Sequence, residues 1–333
     1  MVQNSATIQK VREILESSNS DLYSDEEWGN FGVTISFDEH SVSAIIIPKK
    51  SNRRSADPLL FQAAKCFCDF KEENEIVLPL SPTSSILFQD GRNDKGVIFT
   101  NECGPEPNDQ HFEDIIHFSR TVGENVYIVI NHFGSGASVP QHFHTQVYRK
   151  NTSLEKLWKN QIVPKNKVKQ LSIKEVQIAE IQYPLWGLEF TFASSLPITK
   201  VAQLLYQVTQ EIRLRSQLKL SYNIYVDTKN PQQIKVLYRE CWKESPFSLS
   251  EVQAIVEKYA DASQADSIRK SANSAWRWGW SECIGGMPVR DSSFENRKQF
   301  GPNFWKEVLN FMSLPPVYQE SIRNRLELSL KNI

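Results

Sequence analysis

The most informative segment of the chain spans residues 131–146 and reads NHFGSGASVPQHFHTQ. It holds three of the protein's six histidines, and a glycine- and serine-rich stretch separates the first of them from the other two. An apolar run precedes the segment, which predicts a strand over 125–131, a tight loop and a second strand over 142–150. The segment therefore predicts a β-hairpin that carries histidines at the start of its second strand.

The second strand places His142, His144 and Gln146 on one face, because successive side chains point to opposite sides of a sheet. Phe143 and Val147 lie on the other face and suit a hydrophobic core. Three neighbouring polar groups are unfavourable unless their face meets water or a ligand. The alternation therefore predicts that the histidine face is a binding or catalytic surface.

The loop between the two strands contains Gly134, Ser135, Gly136 and Ser138. Such a loop suits phosphate binding, because glycine permits unusual backbone angles and a close approach of N–H groups. A plain hairpin turn explains the same composition, and the lysine of a P-loop does not follow. The loop is a stronger phosphate-binding candidate in combination with the histidines on the next strand.

Asn131, the Gly/Ser-rich loop and the pattern His142-x-His144-x-Gln146 together resemble the active-site segment of the histidine-triad superfamily. The resemblance is closest to the branch of galactose-1-phosphate uridylyltransferases, diadenosine tetraphosphate phosphorylases and GDP-hexose phosphorylases. A second segment, WSECIGGMPVR at 280–290, is similar to a Trp-Glu and Gly-x-Met segment of the GDP-hexose phosphorylases.

Two features depart from that branch. Three residues separate Ser138 from His142, one more than the branch has. The uridylyltransferases can carry a zinc-binding Cys-x-x-Cys pair, whereas this chain has Cys66 and Cys68 with one residue between them. We therefore expect no metal and no cofactor.

The resemblance implies an α+β fold of two antiparallel-sheet halves with helices, a catalytic half at 1–155 and a degenerate half at 156–333. No histidine follows His144, so the second half lacks a nucleophile of this kind. The implied activity is nucleotidyl transfer or phosphorolysis on an NDP-sugar or a dinucleoside polyphosphate. The second substrate is inorganic phosphate or a sugar phosphate.

The resemblance also implies roles for the residues of the motif. His144 attacks the α-phosphorus and forms a nucleotidyl-histidine intermediate. His142 hydrogen-bonds near the phosphate or orients His144, and Gln146 donates its amide N–H to the phosphoryl oxygens. The nucleotide and its phosphates contact Asn131, Gly134, Ser135, Gly136 and Ser138.

The residue at position 146 distinguishes branches of the superfamily. Hydrolytic members carry histidine there, which can protonate a poor leaving group. Glutamine cannot act as a general acid, so Gln146 suits leaving groups that depart without a proton, such as nucleotides and sugar phosphates. The site therefore favours transferase or phosphorylase chemistry.

Three alternatives stay open at the level of sequence. A nucleotide hydrolase, or a non-catalytic nucleotide-binding protein of the same superfamily, would keep much of the motif. A cupin-type metal enzyme fits the spacing of Gly136, five residues, His142 and His144, but the expected glutamate and third histidine do not follow. The cupin is the weakest of the three.

Composition restricts the class of protein. The chain has 333 residues, with 38 Lys and Arg against 39 Asp and Glu, so no overall basic charge attracts nucleic acid or an anionic membrane. Five scattered cysteines do not form a disulfide framework, and the amphipathic N-terminal helix lacks the apolar core of a signal peptide. We expect a cytoplasmic protein that binds neither membranes nor nucleic acid.

Hydrophobic periodicity predicts the remaining elements. Helices are predicted at 1–20, 58–70, 110–122, 198–216, 249–259, 302–311 and 317–330. Hairpins are predicted at 32–48 and 218–239, and further strands at 75–80, 85–89, 97–100 and 175–193. Helices and antiparallel strands intermingle without a βαβ rhythm, which independently favours an α+β fold.

Overall fold

The computed structural model describes residues 5–17, 32–37, 40–48, 76–88, 95–132, 137, 141–150, 163–167, 171, 173–211, 220–240, 283, 286–289, 309–310 and 312–331. The predicted helices at 58–70 and 249–259 lie outside these residues, as does most of the one at 302–311. The loop residues Gly134, Ser135, Gly136 and Ser138 also lie outside them.

The helices and strands of the described residues mostly follow the predicted hydrophobic pattern. The strands are β1 Gly32–Phe37, β2 His40–Pro48, β3 Ile76–Pro79, β4 Ser84–Phe88, β5 Lys95–Thr100, β6 Val126–Asn131, β7 His144–Arg149, β8 Val163–Lys167, β9 Val176–Gln182, β10 Gly187–Phe192, β11 Leu220–Asp227, β12 Gln233–Glu240 and β13 Gly286–Val289. The α-helices are α1 Ser5–Glu16, α2 Asp109–Thr121, α3 Ile198–Tyr206 and α4 Pro316–Leu330.

Strand β8 escapes sequence-based prediction because its residues, VPKNK, show no apolar alternation. It lies at one edge of the large sheet, where a strand pairs on one side only and such a pattern is weak. The helix predicted over 198–216 is confirmed through Glu211, but it changes type: α3 ends at Tyr206, and the chain continues as a π-helix, Gln207–Glu211. Thr209 in that turn donates its hydroxyl to the carbonyl of Leu205. Residues 212–216 lie outside the described residues.

Ten strands form one sheet in the order β3-β4-β5-β7-β6-β11-β12-β10-β9-β8, and every neighbouring pair is antiparallel. The order has an internal symmetry. Strands β3 to β7 form a unit of three strands, a helix and two more strands, and β8 to β12 repeat that plan in reverse spatial order. The sheet therefore consists of two antiparallel halves joined through β6 and β11, which confirms the predicted α+β fold. The predicted boundary at residue 155 falls between β7 and β8.

A second sheet has three strands. The hairpin β1-β2 is antiparallel, and β13 pairs with β2 in parallel, with Met287 opposite Ile46. Strand β13 belongs to the segment at 280–290 that resembles the GDP-hexose phosphorylases. That segment therefore adds a strand to the N-terminal hairpin.

One hydrophobic core serves both halves of the large sheet. Apolar side chains from all four helices pack together with alternate residues of the central strands, since each strand turns one face toward the helices. Each such side chain contributes about 1.5–3 kcal/mol when it is fully buried. Representative core residues are Val11 of α1, Ile115 of α2, Leu204 of α3, Leu326 of α4, and Ile128, Val147, Ile224 and Val236 of the sheet. Within the described residues, no helix is long and apolar enough to cross a membrane.

Candidate active site

The histidine segment lies at the centre of the large sheet. Strand β6 ends at Asn131, the loop follows, and β7 begins at His144 between β5 and β6. His144 lies opposite Phe99 of β5, and Thr145 lies opposite Ile130 of β6. Asn131 is the last residue of β6 and directly follows Ile130.

The two faces of β7 differ as the alternation predicts. Val147 packs in the core between the sheet and the helices, as does Phe143 just before the strand. The backbone N–H of Phe143 also donates to the carbonyl of Gly104, 2.6 Å away, and holds the start of the strand in place. His144 and Gln146 therefore occupy the opposite face of the sheet.

The imidazole of His144 has a defined tautomer. Its Nδ1 lies 2.9 Å from the backbone carbonyl oxygen of His142. Because a carbonyl can only accept a hydrogen bond, Nδ1 carries the proton and Nε2 carries the lone pair of the neutral ring. Burial lowers the pKa of His144 to about 4, with a smaller contribution from the positive charge of Lys95, so the ring is neutral near pH 7. His144 thus has the electronic form of a nucleophile.

His142 is anchored to the neighbouring strand. Its Nε2 lies 2.8 Å from the backbone oxygen of Thr100 and 3.0 Å from the hydroxyl of the same residue. The hydroxyl of Thr100 donates its own proton to the carbonyl of Glu102, so it can only accept a hydrogen bond from His142. Both Thr100 oxygens are therefore acceptors, and Nε2 of His142 carries the ring proton. Burial also lowers the pKa of His142. The anchored residue holds its carbonyl in position to accept the hydrogen bond from His144.

Tyr148, which the sequence analysis did not identify as a site residue, orients the side chain of Gln146. Tyr148, two positions further along β7, donates its hydroxyl to the side-chain oxygen of Gln146. Since that oxygen is engaged, the amide nitrogen is the group that Gln146 offers to a ligand. The ammonium group of Lys95 lies 5.0 Å from the centroid of the Tyr148 ring.

Asn131 is oriented from the other half of the sheet. Asn223 of β11 lies directly opposite it in the register. The side-chain nitrogen of Asn223 donates to the side-chain oxygen of Asn131 over 2.8 Å, and both residues are buried. The amide nitrogen of Asn131 is therefore directed away from this contact.

His132 has surroundings that differ from those of the other two histidines. It is buried, stacks on Tyr222 with 4.4 Å between ring centroids, and lies 3.3 Å from the hydroxyl of Ser221 and 3.4 Å from the carboxylate of Glu106. Gln210 of the π-helix donates to the same carboxylate. His132 therefore joins β6 to β11 and to the π-helix, away from the row of His144 and Gln146.

Lys150 does not have the solvated surface position that is typical of lysine. Its ammonium group pairs with Asp227 and lies 5.1 Å from the centroid of the Tyr127 ring, and only 9% of its side chain is exposed. The pairing of β6 with β11 explains this position, because it places Asp227 opposite Tyr127, and both residues contact the Lys150 ammonium group.

The structure brings Asn131, His142, His144 and Gln146 together. The four loop residues stay sequence-based candidates. Three further residues, Tyr148, Asn223 and Lys95, escaped sequence reasoning. Tyr148 continues the same alternation along β7, whereas Asn223 and Lys95 come near the site only through the strand register.

The described residues contain no group of three or more histidine, cysteine, aspartate or glutamate side chains placed to hold a metal ion. Cys66 and Cys68 lie outside the described residues. The expectation that the protein needs no metal and no cofactor stays a prediction.

Comparisons with known proteins show that the fold is similar to that of solved structures. No protein-family model matches the chain, and the search of curated proteins found no match. The structure is similar to yeast Ap4A phosphorylase in complex with Ap4A, with a TM-score of 0.54 and 11% identity over 94% of this chain and 99% of that chain. Also similar are a DUF4931 family protein from Bacillus cereus (TM-score 0.31, 15% identity, 62% of this chain and 97% of that chain) and a uridylyltransferase (TM-score 0.36, 8% identity, 83% and 99%).

The strand order and the similarity to the phosphorylase structure both bear on the fold. Among the described residues, ten strands form one antiparallel sheet with β3 and β8 at its edges, whereas a cupin is a jelly roll of two packed sheets, so the cupin alternative is wrong. The chain has an α+β, histidine-triad-like fold similar to that of yeast Ap4A phosphorylase.

Proposed function

We propose that the protein is a nucleotidyltransferase that forms a covalent nucleotidyl intermediate on His144 and passes the nucleotide to phosphate. The observation that carries the proposal is the hydrogen bond from Nδ1 of His144 to the carbonyl of His142, 2.9 Å long. It leaves the lone pair on Nε2, and burial keeps the ring neutral. A buried neutral imidazole of defined tautomer, beside two amides, is suited to attack on phosphorus.

The first step transfers the nucleotide to the enzyme. Nε2 of His144 attacks the α-phosphorus, the P–N bond forms, and the P–O bond to the leaving phosphate chain breaks with its electron pair on that oxygen. Nδ1 keeps its proton, so the ring becomes positively charged. The carbonyl of His142 faces that proton and stabilises the charge.

The second step releases the nucleotide. An oxygen of inorganic phosphate attacks the same phosphorus, and the electron pair of the P–N bond returns to Nε2. The products are a nucleoside diphosphate and the regenerated neutral His144. Neither step needs a proton on the leaving oxygen, so Gln146, which cannot supply one, suits both.

Dinucleoside polyphosphates and NDP-sugars are the candidate substrates. Fold likeness to a phosphorylase that was solved with Ap4A supports the first class. The second class is supported by the segment at 280–290, part of which forms β13 beside the N-terminal hairpin. Both classes present an α-phosphorus joined to a phosphate leaving group, so one mechanism serves both.

A substrate panel tests the proposal. The purified protein is incubated with Ap4A and with UDP-, ADP- and GDP-hexoses, with and without inorganic phosphate, and the products are identified by mass spectrometry. We expect a nucleoside diphosphate that forms only when phosphate is present. Mainly nucleoside monophosphate, formed at the same rate without phosphate, would identify a hydrolase instead. No product from any substrate would contradict an enzymatic function of this type.

A further inference from the structure

Both side-chain amides of the site have their oxygen atoms engaged by protein donors. Tyr148 donates to the oxygen of Gln146, and Asn223 donates to the oxygen of Asn131 over 2.8 Å. An amide has one acceptor atom and one donor atom on opposite prongs, so fixing the oxygen fixes the direction of the nitrogen. Each amide therefore presents N–H groups to the site.

Two amides that present N–H groups favour ligands whose atoms accept hydrogen bonds. The oxygens of a phosphodiester or phosphate anion only accept hydrogen bonds, and an amide turned the other way would repel them. The orientation of two amides thus decides whether the face around His144 attracts or repels a phosphoryl group. The residues that set this orientation influence catalysis without contact with the substrate.

Tyr148 is well placed for this task. Its ring lies under the ammonium group of Lys95, 5.0 Å from the ring centroid, and the register puts Lys95 directly opposite Tyr148. A cation over a phenol ring draws electron density from the ring and strengthens the hydroxyl as a donor. The positive charge of Lys95 therefore strengthens the hydrogen bond that the Tyr148 hydroxyl donates to Gln146.

Asn223 comes from the second half of the sheet. It lies on β11, opposite Asn131 at the seam between the halves, and it is fully buried. The second half of the sheet therefore supplies a side chain, Asn223, that contacts the candidate site in the first half.

We propose that Tyr148 and Asn223 are positioning residues that hold the amides of Gln146 and Asn131 with their N–H groups toward the phosphoryl oxygens. The inference rests on the proposed function for the identity of the ligand. It goes beyond that function in assigning specificity for an anion to two residues outside the histidine motif.

A double-mutant cycle on Tyr148 tests the first assignment. We measure kcat/KM with the best substrate of the panel and the Kd for a nucleoside monophosphate by calorimetry, in wild type, Tyr148→Phe, Gln146→Ala and the double variant. Tyr148→Phe should lower kcat/KM by about tenfold in the wild-type background and by less than about twofold in the Gln146→Ala background.

Tyr238→Phe is the matched control. Tyr238 is a fully buried tyrosine of β12, whereas Tyr148 is half-buried; the hydroxyl of Tyr238 donates to the carbonyl of Val208, 3.2 Å away, among core residues. Its loss should reduce stability but leave kcat/KM within twofold. Equal losses for Tyr148→Phe in both backgrounds, or no loss in the wild-type background, would overturn the assignment.

Asn223 is tested by two substitutions of similar size. Asn223→Asp offers only acceptors, so Asn131 must turn its nitrogen toward it and its oxygen toward the ligand, whereas Asn223→Leu removes the contact without reversing the amide. Asn223→Asp should therefore weaken monophosphate binding at least about fivefold more than Asn223→Leu. Equal effects in folded variants would refute the positioning role.

The binding measurement separates the two proposals. If wild type binds the monophosphate but turns over no substrate, the proposed function fails, and the Kd values of the variants still decide the positioning roles. If wild type binds no nucleotide, both proposals are wrong.

Discussion

Nδ1 of His144 donates a hydrogen bond to the backbone carbonyl of His142, two residues earlier in the chain, over 2.9 Å. His142 is itself tied through Nε2 to Thr100 on the adjacent strand. Thr100 of β5 fixes the imidazole of His142, and the backbone carbonyl of His142 in turn fixes the imidazole of His144. The anchored imidazole of His142 therefore fixes the backbone carbonyl that orients the ring of His144.

Replacing the nucleophile should abolish turnover. We expect His144→Ala to lower kcat by roughly 10⁴-fold, since it removes the imidazole proposed to form the covalent intermediate, while the nucleotide Kd stays within about tenfold. Steady-state kinetics and calorimetry measure the two quantities. His117→Ala, which removes a histidine of α2, is the control and should leave kcat within twofold. Substantial activity in His144→Ala would refute the covalent mechanism.

Stability should fall with acid through the titration of His144. Its pKa is about 4 in the folded protein and about 6.5 in the unfolded chain, so the unfolded state binds more protons between these values. This stabilisation is fully present above pH 6.5 and is lost as pH falls toward 4, by about 3 kcal/mol.

Urea denaturation of wild type and His144→Gln at several pH values measures this effect. Both proteins keep the acid sensitivity of His111, His117 and His142, whose pKa values are also lowered by burial. The difference between the two free energies of unfolding should change by about 3 kcal/mol between pH 6.5 and pH 4. A constant difference would mean that His144 is not buried as the structure shows.

Gln146→His should convert part of the phosphorolysis into hydrolysis. Histidine in this position has a pKa near working pH and can exchange protons with water, whereas glutamine cannot. The ratio of nucleoside monophosphate to diphosphate, measured in excess phosphate, should rise. Gln146→Asn, which keeps an amide, is the control and should slow the reaction without a change in the ratio. An unchanged ratio in Gln146→His would argue against the role of position 146.

Asp114 of α2 offers a prediction about stability alone. One of its carboxylate oxygens accepts hydrogen bonds from the hydroxyls of Ser81, Thr83 and Ser84, at 2.6, 2.7 and 2.6 Å. We expect Asp114→Ala to reduce the free energy of unfolding by about 3 kcal/mol, because three hydroxyl groups lose their acceptor. Glu327→Ala removes an exposed ion pair with Lys331 and should cost less than about 1 kcal/mol. Thermal or urea unfolding distinguishes the two.

Much of the fold follows from local sequence patterns. The short apolar run of β6 predicts a buried strand, and the alternation along β7 and the helical spacing of Phe112, Ile115 and Ile116 in α2 predict elements whose buried faces repeat with the period of the structure. The spacing of His144 and Gln146 likewise places them on one face without knowledge of the partner strands.

The remaining features depend on contacts between distant parts of the chain. Asn223 and Lys95 reach the site through the pairing of β11 with β6 and of β5 with β7, and no local pattern encodes which strands become neighbours. The symmetry of the two halves is also hidden, because the strand order repeats while the residues on the strands do not. The tautomer of His144 depends on a backbone atom and has no signature in sequence.

Intact-protein mass spectrometry detects the proposed covalent intermediate itself. Wild-type protein is mixed with the panel's best substrate in the absence of phosphate and quenched under alkaline conditions, in which a phosphorus–nitrogen bond to histidine is stable. We expect a mass increase of one nucleotidyl group, located on His144 by fragmentation, absent in His144→Ala and released as nucleoside diphosphate when phosphate is added. Turnover without any adduct, or an adduct on a different residue, would rule out a covalent intermediate on His144.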